Sequence, residues 1–113
     1  RRGEWAALWL LRLKGYRILA QDFRCPVGEI DLVARRGGIL AIVEVKHRGV
    51  LAAAGEAVTP RQQRRVLRAA QHFLQRRPDL AGLQLRFDAV LLVPRRWPHH
   101  LKDAWNADMM LPY

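Results

Sequence analysis

Two apolar, strand-like runs separated by Gly37-Gly38 constrain this chain more than any other feature. The runs, residues 29–36 and 39–47, carry Gly28-Glu29-Ile30-Asp31-Leu32 and Ile42-Val43-Glu44-Val45-Lys46. A Gly-Gly pair flanked by such segments reads as a tight hairpin turn. With those glycines at the turn, paired residues have numbers summing to 75, and Asp31 lies directly opposite Glu44. Directly opposed residues have Cβ atoms roughly 4.5–5.5 Å apart, and like charges there repel. Two facing carboxylates therefore ask for a cation. Strand alternation places Lys46 on the face of Glu44. A paired Asp/Glu site for a hard divalent metal, with an ammonium beside it, suits cleavage of a phosphodiester. Asp31 and Glu44 are thus the candidate metal ligands, and Lys46 joins them as a candidate catalytic residue.

The plain alternative is that these charges form the wet half of an alternating antiparallel hairpin. The neighbours weigh against it. Ile30, Leu32, Ala34, Ala41, Val43 and Val45 occupy the partner positions, yet Val33, Leu40 and Ile42 share the acidic face. Such a mixture describes strands covered on both sides. Charges set among apolar neighbours are costly unless paired or metal-bound.

At 113 residues the chain is expected to form one domain, 1–113, with a core of a few strands and two or three helices. Half the residues are hydrophobic, which argues for a folded globule rather than a disordered tail. No apolar run approaches the roughly 20 residues that span a bilayer. Residues 5–13 are too short for a secretory signal and run into Lys14-Gly15. The single cysteine, Cys25, has no partner for a disulfide or zinc motif and fits a reducing compartment. A cytoplasmic location is the expectation. Lys and Arg outnumber Asp and Glu by 20 to 10, for a formal charge of +10. This excess implies a polyanionic partner, nucleic acid first. An anionic membrane would want a basic amphipathic helix with a strongly apolar opposite face, so no membrane partner is expected.

Along the chain, residues 3–14 show helical spacing through Trp5, Ala6, Leu8, Trp9, Leu10 and Leu13, with Gly15 as a stop. Residues 16–23 read as a first strand, and the hairpin follows. Residues 49–58 form a small-residue loop, a candidate mobile segment over a site. Thr59-Pro60 starts a second helix, with Thr as N-cap and Pro at its first position, running to about residue 77. Residues 85–93 are a further strand ended by Pro94, and a short edge strand is expected near Leu101. The order is helix, three strands, helix, strand. A helix between a hairpin and a later strand supplies a crossover, giving an α/β fold with a mixed β-sheet flanked by helices.

Glu4 falls in the first turn of the first helix. It either complements the helix N-terminal dipole or serves as a third carboxylate of the metal site. Glu29 is expected to form a cross-strand ion pair with Lys46. On the second helix Val66, Ala69, Ala70, Phe73 and Leu74 form the buried stripe, while Arg61, Arg65, Arg68, His72 and Arg76 align as one basic stripe. A solvated charged face is the default for such a row. Between Glu56 and Asp79, however, no acidic residue relieves it. That favours a phosphate-backbone track, with Arg61, Arg65 and Arg68 as candidate nucleic-acid contacts. Gln62 reads either as a ligand to a phosphate or a metal-associated water, or as a polar first-turn residue. His99-His100 lacks a third His or Cys nearby and is not taken as a metal site.

Several segments together resemble the YraN-like family. They are Gly3-Glu4, Gly15-Tyr16-Arg17-Ile18-Leu19, Gly28-Glu29-Ile30-Asp31-Leu32-Val33, Val43-Glu44-Val45-Lys46-His47-Arg48, Ala57-Val58-Thr59-Pro60 and Arg86-Phe87-Asp88-Ala89-Val90. The family is largely uncharacterised and similar to archaeal Holliday-junction resolvases. The resemblance implies a restriction-endonuclease-like core, helix–three strands–helix–strand. It would make Asp31 and Glu44 ligands of Mg²⁺ or Mn²⁺, Lys46 the group that orients or activates water, and Glu4 an extra acid from the first helix. Gln62 or Gln63 gains weight from related nucleases with a Gln at the start of the next helix. His47 departs from the small or polar residue that commonly follows the Lys. Resolvases pair two sites to cut two strands, so a homodimer is implied by analogy.

The expected function is a metal-dependent endonuclease hydrolysing phosphodiester bonds of branched or structured DNA. The alternative is a non-catalytic nucleic-acid-binding module that keeps the nuclease fold. A third reading, an RNA-processing factor, has no sequence feature of its own, so DNA is favoured over RNA.

Overall fold

A computed structural model describes residues 2–49 and 58–106. Helix α1 (Arg2–Leu13) leads into three antiparallel strands, β1 (Arg17–Cys25), β2 (Gly28–Arg36) and β3 (Ile39–His47). Helix α2 (Pro60–Gln75) and a 3₁₀ turn (Pro78–Leu80) precede β4 (Gln84–Leu92), which runs parallel to β3. A short β5 (His99–Leu101) closes the sheet antiparallel to β4. The five strands lie in sequence order, so the only crossover among the described residues is the one through α2. The mixed α/β fold and its helix–three strands–helix–strand order match the sequence expectation of a restriction-endonuclease-like core. The loop expected over residues 49–58 falls, at 50–57, outside the described residues.

The hairpin forms in the expected register. Leu32–Val43, Val33–Ile42, Ala34–Ala41, Arg35–Leu40 and Arg36–Ile39 are paired across it. Gly37 turns the chain at φ +57°, a left-handed conformation that glycine adopts without steric cost. Alternation sends the two sides of the hairpin to different helices, and both are buried. Leu32, Ala34, Ala41 and Val43 meet Ala7, Leu8 and Leu11 of α1. Val33, Leu40 and Ile42 meet Val66, Ala69, Ala70 and Phe73 of α2, and Ile30, out of step with strict alternation, joins the same cluster. This double cover is why β2 and β3 read as nearly continuous apolar runs, and it holds their charged ends in a fixed frame.

The start of α2 is built as its sequence suggests. Thr59 caps it, accepting from the Gln62 amide at 3.3 Å, while the Thr59 amide donates to Gln62 Oε1 at 3.3 Å. This reciprocal pair is a capping box. The helix then passes so close to β2 that a Cβ on Gly28 would stand 2.0 Å from the Arg65 carbonyl oxygen. Gly28 is therefore required by helix–sheet approach. Among the described residues no helix is long and apolar enough to cross a membrane.

Candidate metal centre

The β2–β3 ladder stops at Leu32–Val43. One step beyond, the two acidic side chains take over the cross-strand bonds. The Val45 amide donates to Asp31 Oδ2 at 2.8 Å, and the Asp31 amide donates to Glu44 Oε2 at 3.2 Å. Buried amides need such partners. Asp31 and Glu44 thus satisfy the opening end of the hairpin and are fixed by it, as their facing positions in the sequence anticipate.

A third carboxylate joins from the other side. The pairs Gln21–Leu32 and Phe23–Ile30 flank Asp22 and Asp31, so these two residues oppose each other across β1 and β2. Asp22, Asp31 and Glu44 consequently form a row across three neighbouring strands. Asp22 has φ +50°, a left-handed backbone that Asp tolerates better than most residues. The first turn of α1 adds Glu4. Single carboxylate oxygens of Glu4, Asp22 and Asp31 all lie within 4.8 Å of one another. Glu44 stands beside this group of three and outside it, with Oε2 turned to the Asp31 amide.

The electrostatics follow from burial. Glu44 is only 6% exposed, and desolvation, reinforced by the charge of Asp31, pushes its pKa up to about 8. The Asp31 amide and Lys46 oppose that rise without cancelling it. Asp31 is also raised, again chiefly by burial, against the Val45 amide and Lys46. Carboxyls forced toward their neutral forms by burial and mutual repulsion gain most from a cation placed among them. The donor set is all carboxylate oxygen, with no thiol or imidazole, and that suits a hard divalent ion such as Mg²⁺ or Mn²⁺.

The comparison with known proteins gives the family. Residues 3–92 match the family described as "Uncharacterised protein family UPF0102". The chain belongs to the UPF0102 family. It is similar to a UPF0102 protein of Parvibaculum lavamentivorans, 64% identical over 105 residues that cover 93% of this chain and 79% of that protein. A Chelativorans relative is 57% identical over 106 residues, covering 94% of this chain and 86% of the relative. A Bradyrhizobium relative is 57% identical over 104 residues, covering 92% and 74% respectively. The match spans both strands that carry the acidic pair.

In this UPF0102 chain the remaining candidate residues fall as follows. Lys46 lies two positions beyond Glu44, and its charge acts on both Asp31 and Glu44. The ion pair expected between Glu29 and Lys46 does not form. Glu29 is paired in the ladder with Arg24 on β1, and the Arg24 guanidinium stands 3.9 Å from its carboxylate. The cause is that β2 stays in register with β1 at this end while β3 diverges. Arg61, Arg65 and Arg68 are exposed on α2, as a phosphate track requires. Gln62 is engaged in the capping box, and Gln63 Nε2 donates to the Val58 carbonyl at 2.8 Å. Asp22 was not read from the sequence. A turn at Pro26-Val27 between β1 and β2 was the signal that could have paired it with Asp31.

His100 proves to be structural. Its Nε2 lies 2.8 Å from Asp88 Oδ2, and Nδ1 accepts from Lys14. Asp88, fully buried, also takes two bonds from Arg86 at 2.8 Å and one from the Asp103 amide at 2.9 Å.

Proposed function

We propose that this protein is a metal-dependent endonuclease that hydrolyses phosphodiester bonds, with branched or otherwise structured DNA as its substrate. The observation that carries the reading is the row of Asp22, Asp31 and Glu44 across three adjacent strands, completed by Glu4 and flanked by Lys46. Glu4, Asp22 and Asp31 would hold a Mg²⁺ or Mn²⁺ ion, with Glu44 beside them. When bound, the ion supplies charge neutralisation at the phosphate and lowers the pKa of an attacking water.

The protein's own groups do the rest. Asp31 and Glu44 are locked by the amides of Val45 and residue 31, so little reorganisation is needed when charge develops. Lys46 places an ammonium where negative charge grows on the phosphate and orients the water. The arginines of α2 bind the backbone, which carries no base information, so preference follows shape and affinity falls steeply with salt. A homodimer would present two such sites to two strands.

The test is cleavage of labelled four-way-junction, flap, single-stranded and duplex DNA with Mg²⁺, Mn²⁺ or EDTA. Metal-dependent cutting is expected, and Lys46→Ala or Glu44→Ala should lower its rate about a hundred-fold or more. Cutting that survives both substitutions would remove the assignment. Binding without cutting under every metal would mean a nucleic-acid-binding module.

A further inference from the structure

The acidic centre opens into a cleft of about 400 Å³, within the size range of small-ligand sites. Its lining changes character along its length. Glu4 and Asp22 belong to the metal centre, Trp5, Leu8 and Trp9 form an apolar wall on α1, and Arg12 and Gln21 add polar groups. Leu8 is buried and acts as the floor, but Trp5 and Trp9 are 67% and 45% exposed. The two indoles meet edge to face, with ring centroids 6.4 Å apart and planes at 67°. The Arg12 guanidinium lies 5.4 Å from the Trp9 ring centre. Two adjacent exposed tryptophans are not accounted for by the core, and exposed apolar patches of this kind mark contact surfaces.

We propose that Trp5 and Trp9 form a stacking platform for unpaired nucleobases of the strand whose phosphate reaches the acidic centre. The proposal rests on the nuclease reading and deepens it, naming a substrate class with single-stranded character at the cut site. Three observations favour a nucleic acid strand over other occupants. The cleft is continuous with the metal-ligating carboxylates, so a strand bound there is joined through its own backbone to the phosphate at the centre. Glu4 and Arg12 are two turns apart on α1, about 12 Å by helical rise, which separates the acidic end from a cation able to hold a neighbouring phosphate. The chain's formal charge of +10 selects a polyanion. Base-on-aromatic stacking is tolerant of sequence and combines with an arginine in this manner at single-strand sites. Bases inside a duplex cannot reach such a wall, so the platform selects flaps, loops and junction arms that expose them.

The experiment uses fluorescence anisotropy with labelled oligodeoxythymidine and a blunt hairpin duplex of equal phosphate count, in EDTA at fixed salt. Wild type is compared with Trp5→Ala, Trp9→Ala and Trp5→Phe, exposed helix positions at which alanine does not threaten folding. Each alanine substitution should weaken single-strand binding about ten-fold and duplex binding far less, with phenylalanine restoring most of the loss. Equal weakening of both ligands, or none, overturns the proposal. So does conversion of a dimer to a monomer in sedimentation with single-strand affinity unchanged, which would give the surface to a second copy of the chain. Cleavage in Mn²⁺ is followed in parallel. Wild-type cutting whose substrate preference survives in the tryptophan variants overturns the platform and leaves the nuclease reading intact. Tryptophan-dependent single-strand binding without cutting supports the platform and overturns the nuclease reading.

Discussion

Glu44 is where sequence position, burial and chemistry meet in a single residue. Its folded-state pKa of about 8 lies above the ordinary 4.5, so the folded protein holds a proton that the unfolded chain has released. Stability from the neutral form is complete below pH 4.5 and is lost as pH rises toward 8. The slope for one proton is at most about 1.4 kcal/mol per pH unit. Glu44→Gln should flatten that part of a denaturation profile measured in EDTA, and the variant should exceed wild type in stability at pH 8. An unchanged slope would mean that Glu44 is not buried as a neutral acid. Asp22 offers a cleaner separation of binding from folding. Asparagine shares the tolerance of aspartate for left-handed backbone, so Asp22→Asn should keep the melting temperature at φ +50°. It should weaken Mn²⁺ binding by ten-fold or more, on the order of 1.4 kcal/mol, in a titration followed by calorimetry.

The element scale separates what the sequence displays from what it hides. Helices and strands were legible because periodicity and punctuation agreed: Gly15 ends α1, Gly37-Gly38 turns the hairpin, and Thr59-Pro60 opens α2. The meeting of Asp31 and Glu44 across the hairpin was legible because a two-residue turn fixes register by counting. Glu29 was misassigned because the same count was carried past the point where β3 leaves β2. Asp22 was missed because it depends on a second register, between β1 and β2, set by the turn at Pro26-Val27, which the sequence reading did not use. Nor could Gly28 be explained from its own strand, since its reason is the Arg65 carbonyl of α2. Gly28→Ala should therefore push α2 off the sheet, at a cost of about 3 kcal/mol. Thermal melting should fall by about 10 °C or more. The arginine row moves with the helix, so, on the proposed nucleic-acid reading, duplex binding at low salt should weaken together with stability.

At the scale of the whole molecule, two buried acids shift in opposite directions and contribute to the pH response in different windows. Asp88 ties β4, β5 and the turn that follows α1 together through Arg86, His100, the Asp103 amide and, by way of Arg86 and His100, Tyr16 and Lys14. Burial alone would raise its pKa, but the bonds from His100, Arg86 and Asp103 outweigh it and hold the value at about 2. A depressed carboxyl stabilises the fold above its unfolded value of 3.8, and that contribution is lost as pH falls from 3.8 toward 2. Glu44 acts in the other direction, weakening the fold from pH 4.5 toward 8, and Asp31 is shifted the same way. Near pH 4, between the two windows, neither of these two contributions has yet been lost to any large extent. On the proposed metal-centre reading, Mn²⁺ or Mg²⁺ would bind the ionised acids, so added metal should offset the loss from Glu44 and Asp31 increasingly as pH rises. Denaturant melts from pH 3 to 8, with EDTA and with Mn²⁺, measure both profiles. Identical profiles in the two series would mean that the carboxylates of Glu4, Asp22, Asp31 and Glu44 do not act as a metal centre. Asp88→Ala, by contrast, should cost about 3–5 kcal/mol above pH 4 whether or not metal is present, because it strands Arg86 among buried groups.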